Sequence, residues 1–202
     1  MDDDITLHSR FNRIAAVLVW ALSALIVGSA LAASGGAQVL ALYPIGVLLA
    51  LFGWVGLWRP YVRVGSAGVT LRNVTHTVVV PWEALVHVET RYALTLRTPS
   101  GAFSAWAAPA PGLVGSLTAR RRHGDRESRA SGEALRAGDL IGTESGEAAL
   151  VVREQWRRRL DAGLVATGVA GDVAVERRWD VPVLTAFTLL TFGAVGALAA
   201  TS

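Results

Sequence analysis

Residues 14–58 read IAAVLVWALSALIVGSALAASGGAQVLALYPIGVLLALFGWVGLW, 45 residues between Arg13 and Arg59 without one Asp, Glu, Lys, Arg or His. The run is too long for one bilayer crossing and long enough for two, and Ser34-Gly35-Gly36-Ala37-Gln38 interrupts it in the middle. Each half, 14–33 and 39–58, has 20 residues. A hydrocarbon core of ~30 Å requires about that many at the rise of an α-helix. A core helix of a soluble protein keeps a polar stripe at some angle, and neither half has one. The stretch predicts a transmembrane hairpin. A third charge-free run of 20 residues, 181–200, predicts a third span, with Pro182 in its first turn, where a missing N–H costs nothing.

Arginine placement gives the expected sidedness. Lysine is absent, so all 19 basic residues are Arg. Arg10 and Arg13 precede the first span, Arg59 follows the second, and Arg177 and Arg178 precede the third. None lies in the turn between the first two spans, and none follows the third. The positive-inside rule then predicts a multi-pass protein of the cell (inner) membrane, with the N-terminus and the middle segment cytoplasmic and the C-terminus outside. Trp58 and Trp179 stand where interfacial aromatics belong. Ala30-Leu31-Ala32 resembles a signal-peptidase site, but the apolar run before it exceeds a usual leader core and Asp2-Asp3-Asp4 is a poor leader start.

The 202 residues are 52% hydrophobic, and outside the spans enough chain remains for one small domain. Cysteine is absent, which excludes thiolate catalysis, disulfides and cysteine-ligated metals. A net charge of +3 gives nucleic-acid binding little support, and none is predicted.

Residues 1–13 read as a polar cytoplasmic tail. After Arg59-Pro60 the periodicity changes from helical to alternating. With Gly65-Ser66-Ala67-Gly68 as a turn, Val62, Val64, Val69 and Leu71 share one face, and Tyr61, Arg63, Thr70 and Arg72 the other. Further strands are expected at 76–80, ended by Pro81; at 83–89, with Ala84, Val86 and Val88 inward; at 92–97, with Tyr92, Leu94 and Leu96 inward; and at 102–106, with Phe103 and Ala105 on one face. Six short strands over 59–106 predict an antiparallel meander curling into a barrel or sandwich.

Residues 107–147 are rich in Ala, Gly, Ser, Arg and acids, with basic and acidic clusters segregated, and read as a disordered insertion with Leu140-Ile141 as a stray strand. The segment 148–162 is predicted to be an amphipathic helix. Ala149, Val152, Trp156 and Leu160 recur at helical spacing opposite Arg153, Arg157 and Arg158, a stripe that only the meander can cover. Residues 163–180 read as linker, with Val173 to Val175 undecided between strand and helix.

These strands closed by a C-terminal amphipathic helix, on a membrane hairpin, resemble the bacterial pleckstrin-homology (PH-like) family, and within it the small membrane-anchored actinobacterial members of the low molecular weight protein antigen 6 type. The residues carrying the likeness are Arg59-Pro60, Gly68-Val69-Thr70-Leu71-Arg72-Asn73, Val80-Pro81-Trp82-Glu83 and Ala105-Trp106. The resemblance implies an α+β membrane protein, three transmembrane helices with a cytoplasmic PH-like antiparallel β-barrel or sandwich closed by one helix. It assigns structural roles to Arg59, Pro60, Gly68, Pro81, Trp82 and Trp106, and it implies no shared catalytic residues. Phosphoinositide-binding PH domains place basic residues around the first hairpin loop; Gly65 to Gly68 carries none, and Arg63 and Arg72 on one outward face are a weak substitute.

Nothing in the sequence adds chemistry. His8, His76, His87 and His123 show no ligand spacing, and no nucleophile elbow, P-loop or dinucleotide fingerprint occurs. No enzyme activity, cofactor, metal or small-molecule substrate is predicted. The spans hold no ionisable residue to mark a transport path. Gly46 with Ala50 and Gly193 with Ala197 are small pairs able to seat helices closely. Arg120-Arg121-Arg122 and Arg157-Arg158-Arg159 are basic clusters suited to anionic lipid. The expected partners are the lipid bilayer and a further membrane protein. The expected role is a non-enzymatic interaction or scaffolding module, with an accessory subunit of a transporter or enzyme complex, or an anionic-lipid sensor, as alternatives.

Overall fold

A computed structural model describes residues 4–32, 36–110 and 143–201. They form two compact units, a sheet-and-helix module and a helical unit.

The module begins where the hairpin was expected. Strand β2 (Tyr61–Val64) pairs antiparallel with β3 (Gly68–Arg72), Val62 facing Leu71 and Val64 facing Val69, so the alternating valines point into the core. Close approach dictates the glycine at 68: a Cβ there would lie 2.2 Å from the Val80 carbonyl oxygen. Strand β4 (His76–Pro81) continues the sheet, which is flanked by β1 (Ile5–Leu7) and β8 (Glu176–Trp179) in the order β1-β2-β3-β4-β8. A second sheet holds β5 (His87–Glu89), β6 (Ala93–Thr98) and β7 (Gly101–Pro109), in that order. The two sheets share one core, in which Leu71, Val80, Leu94 and Leu96 meet Ala149 and Val152 of helix α3 (Glu144–Asp161). The expected antiparallel strands are present, as two sheets packed on one core.

Several expectations are corrected. The N-terminal residues are not all tail: Ile5 and Leu7 alternate inward on β1, opposite Val64 and Val62, and pack on the core. Residues 83–86 are not strand. Pro81 ends β4 in an extended conformation and Trp82–Ala84 turn as a 3-10 helix. That turn interrupts the alternation locally: Leu85 is buried and Val86 is 53% exposed, while Ala84 and Val88 are buried as the alternation expects. Tyr92, placed inward by alternation, precedes β6 and is 76% exposed. Strand β7 extends to Pro109 across an irregular register that buries Ala107 and Ala108 in succession, so 107–109 belong to the sheet. Helix α3 starts at Glu144, four residues before the expected start. Thr143 caps it, its Oγ1 accepting from Gly146 N at 3.0 Å, and Glu144 and Glu147 suit the positive end of the helix dipole. The expected disorder of the remaining insertion, with Leu140-Ile141, lies outside the described residues. The segment 163–180 contains β8 and is not linker throughout.

The helical unit contains α1 (Arg10–Ala32), α2 (Gly36–Phe52), which runs on as a π-helix over Gly53–Trp58, and α4 (Val181–Thr201). By length and composition α1 and α4 are long and apolar enough to cross a membrane, and Leu42–Trp58 is a shorter apolar helix. Helix α2 packs on both α1 and α4. Against α1 the approach is close: Ser23 Oγ donates to Gly46 O at 2.7 Å and Trp20 Nε1 to Ala50 O at 3.1 Å. A Cβ on Gly46 would meet Val27 Cγ2 at 2.4 Å. The Gly46–Ala50 pair thus seats α1, whereas Gly193 faces open space.

Candidate functional site

The most specific motif residue, Trp82, anchors a clamp on the β2–β3 turn. Its buried indole Nε1 donates to Gly65 O and Ser66 O, each at 3.1 Å. Arg159, in the last turn of α3, reaches the same two carbonyls, Nη2 to Gly65 O at 3.3 Å and Nε to Ser66 O at 3.4 Å. Its Nη1 donates to Gln155 Oε1 at 2.7 Å. The first hairpin loop is therefore tied down from inside the module.

That geometry corrects the arginine cluster of α3. Arg159 is only 6% exposed and its donors serve the turn, so its guanidinium faces the module's interior and not a lipid surface. Arg157 and Arg158 are exposed, Arg158 in an i,i+4 pair with Glu154 at 2.7 Å. Arg120, Arg121 and Arg122 lie outside the described residues.

The other motif residues serve separate structural ends. In the helical unit Arg59 pairs with Asp180 and stands over the Trp54 ring, Cζ 5.7 Å from its centroid, and Pro60 beside it is buried. In the module Gly68 permits the close strand approach. Trp106 presents a half-exposed indole while its backbone N–H donates to Asn73 Oδ1 at 2.9 Å. Asn73 Nδ2 in turn bonds Ser104 O at 3.0 Å, joining the end of β3 to β7.

Two arginines flank Tyr61 on one face of the β2–β3 pair. Tyr61 stands directly opposite Arg72, and Arg63 lies two residues along β2. The Cζ atoms of Arg63 and Arg72 lie 5.4 and 5.8 Å from the Tyr61 ring centroid, and the His8 ring lies 6.1 Å from it. Among the described residues neither arginine has a carboxylate within ion-pairing distance, and Arg72 Nε has no hydrogen-bond partner. The period-two pattern places Tyr61, Arg63 and Arg72 on one face but gives no sign of His8, which follows a strand in a segment that reads as tail. The alternating Ile5 and Leu7 were the signal that a strand preceded it. Among the described residues no three His, Asp or Glu side chains come together as a metal site.

Residues 59–138 match the family model of the bacterial PH domain, and that stretch is similar to this family. The match runs beyond Trp106, the last motif residue, and stops short of α3. Searches of curated proteins and of solved structures return no match.

Proposed function

We propose that the chain is a membrane-anchored, non-enzymatic PH-like module that acts as an interaction or scaffolding platform at the cytoplasmic face of the cell membrane. Three apolar helices serve as spans, α1, the continuous α2 with its π-helical end, and α4. The observation that carries the reading is how directly strands pass into helices. Only His8 and Ser9 separate β1 from α1, Arg59 and Pro60 separate Trp58 from β2, and Asp180 separates β8 from α4. Three junctions of one or two residues leave the module little freedom to leave the bilayer that holds the helices, since each residue spans at most about 3.6 Å. A scaffold of this kind is held at the membrane before any partner arrives.

Alkaline carbonate extraction combined with in-cell photo-crosslinking tests the proposal. The protein stays in the carbonate pellet, and crosslinkers placed at the exposed positions Tyr92 and Trp106 give discrete protein adducts. Release by carbonate, or adducts formed equally well from the buried position Leu96, would count against it.

A further inference from the structure

We propose that the outer edge of β1 takes an added strand, an extended partner segment in which apolar and acidic residues alternate. This names a partner for the interaction-platform reading and rests on it. The hairpin register gives the edge its outward backbone groups. Gly65 N donates to Gly68 O at 3.0 Å, so those two residues face each other as a hydrogen-bonded pair. Bonding alternates along an antiparallel ladder, so Tyr61 and Arg63 turn their N–H and C=O toward β3, and Val62 and Val64 turn theirs toward β1. Pro81 opposite Gly68 agrees, since a proline fits a position that needs no donor. Leu7 and Ile5, opposite Val62 and Val64, therefore bond β2, and Thr6 between them points its N–H and C=O away from the sheet. Thr6 is exposed.

The other sheet edges are already engaged or blunted. On β5 the Val88 carbonyl accepts from Arg153 Nη2 at 2.8 Å. On β7 the side chain of Asn73 takes both the Trp106 N–H and the Ser104 carbonyl. On β8 all four residues are exposed and Glu176 pairs with Arg178, a charged edge of the kind that resists strand addition. Strand β1 differs. Ile5 and Leu7 pack on the core while only half-buried, so apolar residues of an added strand would complete their cover. On the opposite face Thr6 stands across from Arg63. Arg63 and Arg72, 5.4 and 5.8 Å from the Tyr61 ring centroid, have no carboxylate partner among the described residues. An added strand would run two strand spacings from β2, about 10 Å, a gap that an arginine and a glutamate can close between them. The Asp4 carboxylate lies at the other end, beside Gly65, so the acidic position falls toward Tyr61. Backbone bonds to the edge give affinity, and the alternating side chains give selectivity.

The test is fluorescence anisotropy of a labelled peptide, Val-Glu-Val-Glu-Val, titrated with the full chain in phosphatidylcholine nanodiscs. The controls are Val-Lys-Val-Lys-Val and the reordered Glu-Glu-Val-Val-Val. The alternating acidic peptide should bind several-fold more tightly than either. Thr6→Pro removes an outward donor and no bond to β2, so it should weaken binding several-fold and leave the thermal unfolding curve in place. Arg63→Gln should weaken the acidic peptide alone. Equal binding of the alternating and reordered peptides, or full affinity in a folded Thr6→Pro chain, overturns the proposal. If Thr6→Pro lowers the unfolding temperature, Arg63→Gln and the reordered peptide decide. A dimer in detergent that Thr6→Pro converts to monomer, read by light scattering, overturns the peptide assignment in favour of a second copy. Absent peptide binding, with discrete adducts still formed at Tyr92 and Trp106, overturns the edge proposal and leaves the platform reading standing. Loss of both overturns both.

Discussion

The guanidinium of Arg159 lies over the indole of Trp82, its Cζ 5.0 Å from the ring centroid, and both side chains donate to the carbonyls of Gly65 and Ser66. The helix and the strand end thereby converge on one turn. Replacing Arg159 with Met keeps the stem and removes the donors, which should cost about 1.5–3 kcal/mol, the range for hydrogen bonds from a charged group. Arg159→Lys should recover little, because an ammonium cannot span two carbonyls and stack on the ring at once. Urea unfolding of the full chain in detergent, followed by tryptophan fluorescence, gives both values.

Gly68→Ala forces a Cβ to within 2.2 Å of a backbone oxygen, which has no rotamer by which to retreat. A loss of at least about 2 kcal/mol is expected, against a change within about 0.5 kcal/mol for Gly171→Ala, where the Cβ enters open space. The same unfolding assay compares them.

The hairpin was legible because two residue types carried two periods at once. Val62, Val64, Val69 and Leu71 must face a core, and Tyr61, Arg63 and Arg72 must not, so one register satisfies all seven. Legibility failed where a local turn interrupted the alternation. Nothing in residues 83–89 announces that Trp82–Ala84 turn as a 3-10 helix, and without that turn Val86 and not Leu85 points inward. The start of α3 failed for a different reason: Glu144, Ser145 and Gly146 have no apolar stripe, and only the Thr143 cap and the acidic first turn mark it. Arg159 looked like one of three equivalent surface arginines. Its burial follows from the Ser66 and Gly65 carbonyls across the module, which no local pattern in α3 encodes.

Arg59 and Asp180 form a mostly buried ion pair, 14% and 19% exposed. Asp180→Asn leaves the arginine charge without its partner and should destabilise by about 1–3 kcal/mol, below the 3–5 typical of full burial because some solvent remains. The exchange Arg59→Asp with Asp180→Arg should restore part of that loss. A double-mutant cycle on thermal stability in detergent measures the coupling.

Ser23→Ala removes the hydroxyl that bonds Gly46 O and should cost only about 0.6 kcal/mol, the mean for such bonds between apolar helices. Gly46→Leu should cost several times more, since its side chain must displace Val27 where α1 and α2 meet. Thermal unfolding in detergent separates the two effects.

The central claim is a sheet module held on the cytoplasmic side by apolar spans, and single-cysteine labelling tests it most directly, because the chain has no cysteine of its own. Ser34→Cys, Ala102→Cys and Ser202→Cys are each treated in intact cells with a membrane-impermeant thiol reagent, then again after permeabilisation. The account predicts labelling of positions 34 and 202 in intact cells, and of position 102 only once the membrane is opened. Labelling of position 102 in intact cells, or protection of position 34, would contradict it.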